Sequence, residues 1–231
     1  MAAQLIRYEL RRLGWMGLLT PALVTILFCG LALLMTLGGA DKAPVSRILV
    51  AGLELGLPLA AGVVAAGIAA EEPAIDLQLA LLTHYRTTLL RRLALLVAWT
   101  SLFAFAWSVA LQLLGLWSLR VPEPFLVGQL VWVSPLLWFV AVGAAVALVL
   151  GGRSVSGALL GGLWTFEILF RDLFLSKDWL RPEFLFATTY TPGAEYWLSN
   201  RLALISTALV VGLAVWLLSS RTELMAKGGE A

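Results

Sequence analysis

At 231 residues, 61% hydrophobic and only 13% charged, the chain falls far outside the roughly 25% charged composition of an ordinary soluble domain, which excludes water as its main solvent. Its 16 Lys and Arg against 14 Asp and Glu leave a net charge of +2, too little for a charge-driven nucleic-acid partner. A single cysteine, Cys29, excludes an intrachain disulfide and reads as a small packing residue within an apolar run.

A hydrocarbon core of about 30 Å needs roughly 20 apolar residues per helix. Six stretches of that kind use up most of the sequence, which predicts an all-α polytopic membrane protein forming one transmembrane domain over residues 1–231. Residues 1–14 read as a short interfacial helix, with Ile6, Leu10 and Leu13 on one face and Arg7 and Arg11 placed to reach headgroups. The first span is predicted over 15–37. It is too long for the roughly 7–15-residue apolar core of a secretory signal, so it is read as a span and not as a cleaved leader. A turn containing Gly38-Gly39 and Ala43-Pro44 leads to the second span, 48–70.

A polar stretch, 71–92, precedes the third span at 93–116. The Val-Pro-Glu-Pro loop around Pro122 and Pro124 leads to the fourth at 126–150. Gly151, Gly152 and Arg153 connect to the fifth, 155–175, and the sixth is predicted over 202–218. Between the last two lies a mixed segment carrying Trp179, Phe184, Phe186, Tyr190, Tyr196 and Trp197. The positive-inside rule then orients the chain: with both termini cytoplasmic, nine of the 16 Lys and Arg fall inside, including Arg7, Arg11, Arg12, Arg86, Arg91, Arg92 and Arg153.

The sequence lacks the parts for intramembrane hydrolysis. His84 is the only histidine and lies in a polar loop, so Ser-His and Cys-His pairs within the membrane are not available, and no Cys/His cluster can hold zinc. No G-x-x-x-x-G-K-[ST] phosphate loop occurs, so any nucleotide must be bound by another subunit. Two carboxylates nevertheless fall at membrane depth, where a charge costs about 2.5–3.5 kcal/mol on insertion scales. Glu54 precedes Pro58 by four residues, and reads either as the lining of a polar path or as a partner for a neighbouring helix. Glu167 precedes Arg171 by four residues, the spacing of an intrahelical ion pair.

The 71–92 stretch is the most informative. Glu71, Glu72 and Asp76 favour a helix N-terminus, Pro73 suits its first turn, and Leu77, Leu81 and Tyr85 recur at helical spacing. Arg91 and Arg92 mark the return to the membrane, so the stretch is predicted as a short amphipathic helix on the cytoplasmic side.

In this layout the chain resembles the permease subunit of ABC transporters of the ABC-2 type, the exporter class. The residues that carry the likeness are Glu71-Glu72, then Leu81-Leu82-Thr83-His84-Tyr85-Arg86, then Leu89-Leu90-Arg91-Arg92, together with the aromatic segment from Trp179 to Asn200 and its Thr191-Pro192-Gly193. The Gly-Thr pair often found early in the family's coupling helix is absent, and His84-Tyr85 stands where a proline is usual.

The resemblance implies a coupling helix between spans two and three, whose Glu71, Glu72, Asp76, Leu81, Leu82, Thr83, His84, Tyr85 and Arg86 contact an ABC ATPase present in two copies. It also implies a second permease subunit, as a homodimer or heterodimer, and an outer segment dipping into the bilayer between spans five and six. No cofactor is implied for this chain, ATP and Mg being expected in the partner ATPase, and the location implied is a prokaryotic inner membrane. Glu54, Glu167 and Arg171 are the candidates for a translocation path or an intramembrane pair. Two other classes fit the composition: a non-transporting membrane scaffold or assembly factor, and a stand-alone secondary transporter, for which broken helices in matching halves would be expected.

Overall fold

Backbone groups in hydrocarbon must be satisfied within their own segment, and the apolar runs accordingly form helices. A computed structural model describes residues 14–70 and 85–228. Helix α1 is Gly14–Leu37 and α2 is Lys42–Ala51. A single π-turn, Gly52–Gly56, joins α2 to α3, Leu57–Ala70. Then come α4, Tyr85–Leu113, the short α5, Phe125–Gly128, and α6, Leu130–Leu150. Helix α7, Arg153–Leu169, is followed by α8, Arg171–Ser176, a 3-10 turn at Arg181–Glu183, α9, Ala187–Tyr190, and the long α10, Trp197–Gly228.

Among the described residues five helical stretches are long and apolar enough to cross a membrane: Gly17–Leu37, Lys42–Ala70, Arg86–Leu113, Phe125–Leu150 and Trp197–Ser219. The chain is thus an all-helical, multi-pass membrane protein. The expected fifth span over 155–175 is not one continuous helix. It breaks at Phe170, whose φ of −103° and ψ of 25° leave the helical region, and the 17 residues of α7 reach only about 25 Å.

Other boundaries move as well. The second span starts six residues earlier than expected, at Lys42, and the last reaches back to Trp197. Residues 85–92, expected to finish a separate amphipathic helix, form the first turns of α4. No helix breaker lies between Tyr85 and Leu93, Thr88 and Leu89 are buried there, and the Arg86 guanidinium lies 4.9 Å from the centre of the Trp216 ring on α10.

Helices α3 and α6 form the centre, with α10 against α6 and α7 against α3. Small residues permit the approach: Gly62, Ala65, Ala66 and Ala69 on α3 are buried, and a Cβ on Gly62 would fall 2.8 Å from the Phe139 carbonyl oxygen. Several polar groups are paired inside this packing, while the indole nitrogens of Trp107 and Trp138 stay without a partner among the described residues. Ser108 and the Trp132 indole both donate to the Gln129 side-chain oxygen at 2.8 Å, and Ser46 donates to the Leu116 carbonyl at 2.6 Å. Helix α1 stands at the edge with Leu23, Ile26, Leu27, Leu34 and Leu37 exposed, the face a bilayer would cover. At the far end of α6, Gly151 adopts φ 68° and donates to the Ala147 carbonyl at 2.8 Å, which closes the helix and turns the chain into α7.

Candidate functional site

Pro58 has no amide hydrogen and cannot bond the carbonyl of Glu54, four residues earlier, where a regular helix would require it. The chain accommodates this with the π-turn, in which the Leu57 amide donates to the Gly52 carbonyl five residues back. The π-turn carries Glu54, whose side chain is fully buried. Four donors converge on its carboxylate. The Thr188 amide reaches Oε1 and the Thr189 amide reaches Oε2, each at 2.8 Å, while the Thr189 hydroxyl donates to Oε2 at 2.5 Å. The fourth donor is Nη2 of Arg201, which forms an ion pair with Oε1.

Arg201 is as deeply buried as Glu54. Its guanidinium stacks 5.6 Å from the centre of the Trp197 ring, and Nη2 also donates to the Thr188 hydroxyl at 3.1 Å. The same hydroxyl accepts the Trp197 indole N–H at 2.8 Å. One residue earlier, the Asn200 amide nitrogen lies 2.7, 3.0 and 2.8 Å from the carbonyls of Arg181, Pro182 and Phe184. The first turn of α10 and the π-turn therefore grip the 181–189 backbone from two sides. Charge is tolerated at this depth because each charge faces its opposite and both carboxylate oxygens and Nη2 of Arg201 are hydrogen-bonded, although the buried Nε of Arg201 has no partner among the described residues.

Glu167, near the end of α7, is also buried, but it is held differently. Its Oε2 accepts the Leu185 amide at 2.9 Å, and among the described residues no cation pairs with it. The expected Glu167–Arg171 ion pair is not formed. The break at Phe170 takes the two residues off a common helical face, and the Arg171 guanidinium lies against Asp172 at 3.4 Å and 5.3 Å from the centre of the Tyr190 ring. An aromatic cluster of Phe166, Phe174, Phe184 and Phe186 fills the space around the break.

The structure thus brings Glu54 and Glu167 onto one segment, 184–189, and leaves Arg171 on its rim. Glu71, Glu72, Asp76, Leu81, Leu82, Thr83 and His84 lie outside the described residues, as does the expected interfacial helix up to residue 13; Tyr85 opens α4. The residues that sequence reasoning missed are Arg201, Thr188, Thr189 and Asn200. Arg201 stands one place before the expected start of the last span and reads there as a flanking charge, although a buried Glu54 calls for a cation on some neighbouring helix.

Among the described residues no group of three or more His, Cys, Asp or Glu side chains is placed to hold a metal ion. What the arrangement does chemically is fix a folded segment between the last two long helices to the π-turn through a charge pair. No protein-family model matches this sequence, no curated protein matches it, and no solved structure matches its fold.

Proposed function

We propose that this chain is the membrane subunit of an ATP-driven exporter of the ABC-2 type, acting as a lever between ATPase subunits and a path through the bilayer. The observation that carries the reading is the segment between α7 and α10. It turns through α8, a 3-10 turn and α9 and is bound back onto α2 and α3 by Glu54 and Arg201. A dipping outer segment between the last two membrane-embedded elements is what the sequence resemblance leads one to expect, and a scaffold has no need of one fixed by a buried ion pair.

In this reading α7 and α8 together make the fifth of six membrane-embedded elements, both termini are cytoplasmic, and residues 1–14 lie along the inner interface. Two such subunits, identical or related, enclose the path, and two ATPase subunits bind beneath them. The contact is made by Glu71, Glu72, Asp76, Leu81, Leu82, Thr83, His84, Tyr85 and Arg86. Closure of the ATPase pair on ATP pushes these residues, and the rigid α3–α6 pair passes the movement to the far side.

The test is purification of the tagged chain from native membranes in mild detergent, with identification of stoichiometric partners and an ATP-hydrolysis assay of the eluate. An equimolar ATPase that is lost on Leu81→Asp, with membrane insertion intact, is the expected result. A chain that elutes alone under every mild condition overturns the reading and favours a scaffold or a stand-alone carrier.

A further inference from the structure

At the rim of the segment described above, two arginines lie over one tyrosine ring and a third stands close enough to the first to feel its charge. Arg47, on α2, and Arg171, on α8, both lie over the Tyr190 ring, at 5.4 and 5.3 Å from its centre, which puts the two guanidinium carbons within about 11 Å of each other. Arg120, in the loop after α4, reaches the Ala43 carbonyl with Nη2 at 3.4 Å, while its buried Nε has no hydrogen-bond partner. Burial and the neighbouring Arg47 charge both lower the Arg120 pKa below its ordinary value. Asp172 offsets Arg171 at 3.4 Å, but among the described residues neither Arg47 nor Arg120 has an ion-pair partner.

Like charges held this close, with donors left over, call for an anion. The chemistry on either side of Arg171 narrows the choice. Leu169, Phe170 and Leu173 are exposed there, so an apolar surface continues directly from the cationic one. A soluble anion leaves that surface uncovered, whereas an amphiphile covers both.

We propose that Arg47, Arg120 and Arg171 form a binding site for the phosphate headgroup of an acidic phospholipid, with an acyl chain lying along Phe170 and Leu173. Tyr190 is the platform that holds Arg47 and Arg171 apart and aimed at the same headgroup. The site stands on α2, α8 and the loop after α4, and does not depend on the transport reading.

The test is thermal unfolding and native mass spectrometry of the purified full-length protein in detergent, titrated with phosphatidylglycerol, with phosphatidylcholine or with inorganic phosphate. Phosphatidylglycerol is expected to bind and raise the melting temperature more than phosphatidylcholine does, with inorganic phosphate well below either. Each neutralised arginine should weaken phosphatidylglycerol binding about five-fold, so R47Q/R171Q loses about 25-fold. Lys177→Gln, at an exposed cation that is not one of the two stacked on Tyr190, should lose almost nothing.

Equal response to the two lipids overturns the proposal, and that comparison needs no variant. Inorganic phosphate matching phosphatidylglycerol overturns the lipid as the source. An equal loss in Lys177→Gln and in the single variant Arg47→Gln reduces the site to general surface charge and overturns it as well.

Discussion

Glu54 and Arg201 stand 147 residues apart in the chain and meet as a fully buried ion pair, one from a π-turn in the second long helical stretch and the other from the first turn of the last. Taking two charges out of water costs several kcal/mol per ion, and the pair is sustained because threonine amides and hydroxyls hydrogen-bond it and the Trp197 ring lies against the guanidinium. Removing one partner leaves the other charged and stranded. Arg201→Met alone should therefore destabilise the protein by about 3–5 kcal/mol, while the double change Glu54→Leu with Arg201→Met should recover a large part of that loss. Reversible unfolding in mixed micelles of the two single variants and the double measures the cycle; a double variant whose loss equals the sum of the Glu54→Leu and Arg201→Met losses would show that the two residues are not coupled.

The two threonines that close the site differ in what their removal strands. Thr189→Val takes away one hydroxyl donor to Glu54 but leaves the amide bond and the Arg201 contact, so a loss of about 1–2 kcal/mol is expected. Thr188→Val removes an oxygen that accepts from both the Trp197 indole and Arg201, leaving two buried donors short of an acceptor. Its cost should be the larger of the two, at about 2–6 kcal/mol, from a penalty of roughly 1–3 kcal/mol per stranded group. The same unfolding measurement ranks them.

Much of this architecture is legible in the sequence because the bilayer imposes one rule on every span. Runs of about 20 apolar residues must be helices there, and the stretches expected at 15–37, 48–70, 93–116, 126–150 and 202–218 each overlap a long apolar helix of the structure. Glu54 is visible for the same reason, as a charge where charge is costly. The break at Phe170 is not visible, since no glycine or proline lies between Leu163 and Arg181. It comes from tertiary packing: Phe174 meets Phe166 edge-to-face and stacks on Phe184, and the Leu185 amide claims the Glu167 carboxylate. Arg201 escapes notice because hydropathy starts the last helix at 202, whereas the indole of Trp197 and the amide of Asn200 extend it inward by bonding the preceding segment.

Glycine plays opposite parts on two helices. At Gly62 the α3 and α6 backbones approach so closely that a Cβ would lie 2.8 Å from the Phe139 carbonyl oxygen and 2.9 Å from its Cβ. Gly62→Ala should force the central pair apart and cost about 1–3 kcal/mol. Gly161 on α7 has nothing within 4 Å of the same position, so Gly161→Ala should stabilise by about 0.5–1 kcal/mol through the helix preference of alanine alone. Melting temperatures in one detergent should move in opposite directions; a fall at both positions would show that α7 packs more closely than the free space around Gly161 allows.

Two buried carboxylates in one protein offer a sharper comparison, because the same isosteric change acts on different partners. Gln at position 54 keeps an acceptor for only one of the two threonine amides, which bond different oxygens, and removes the charge that balances Arg201, which is then buried and unpaired. That should cost about 3–5 kcal/mol. Gln at position 167 still accepts the Leu185 amide through its side-chain oxygen and relieves a buried carboxylate that no cation among the described residues balances. Glu167→Gln should therefore stay within about 1 kcal/mol of the parent, whereas Glu167→Leu, which leaves the Leu185 amide without an acceptor, should cost about 1–3 kcal/mol more than Gln. Hydrogen exchange at the Leu185 amide separates the cases: protection is kept in Glu167→Gln and lost in Glu167→Leu. If Glu54→Gln proved as mild as Glu167→Gln, the charge of Glu54 would have no part in holding Arg201, and the grip on residues 184–189 would rest on hydrogen bonds alone.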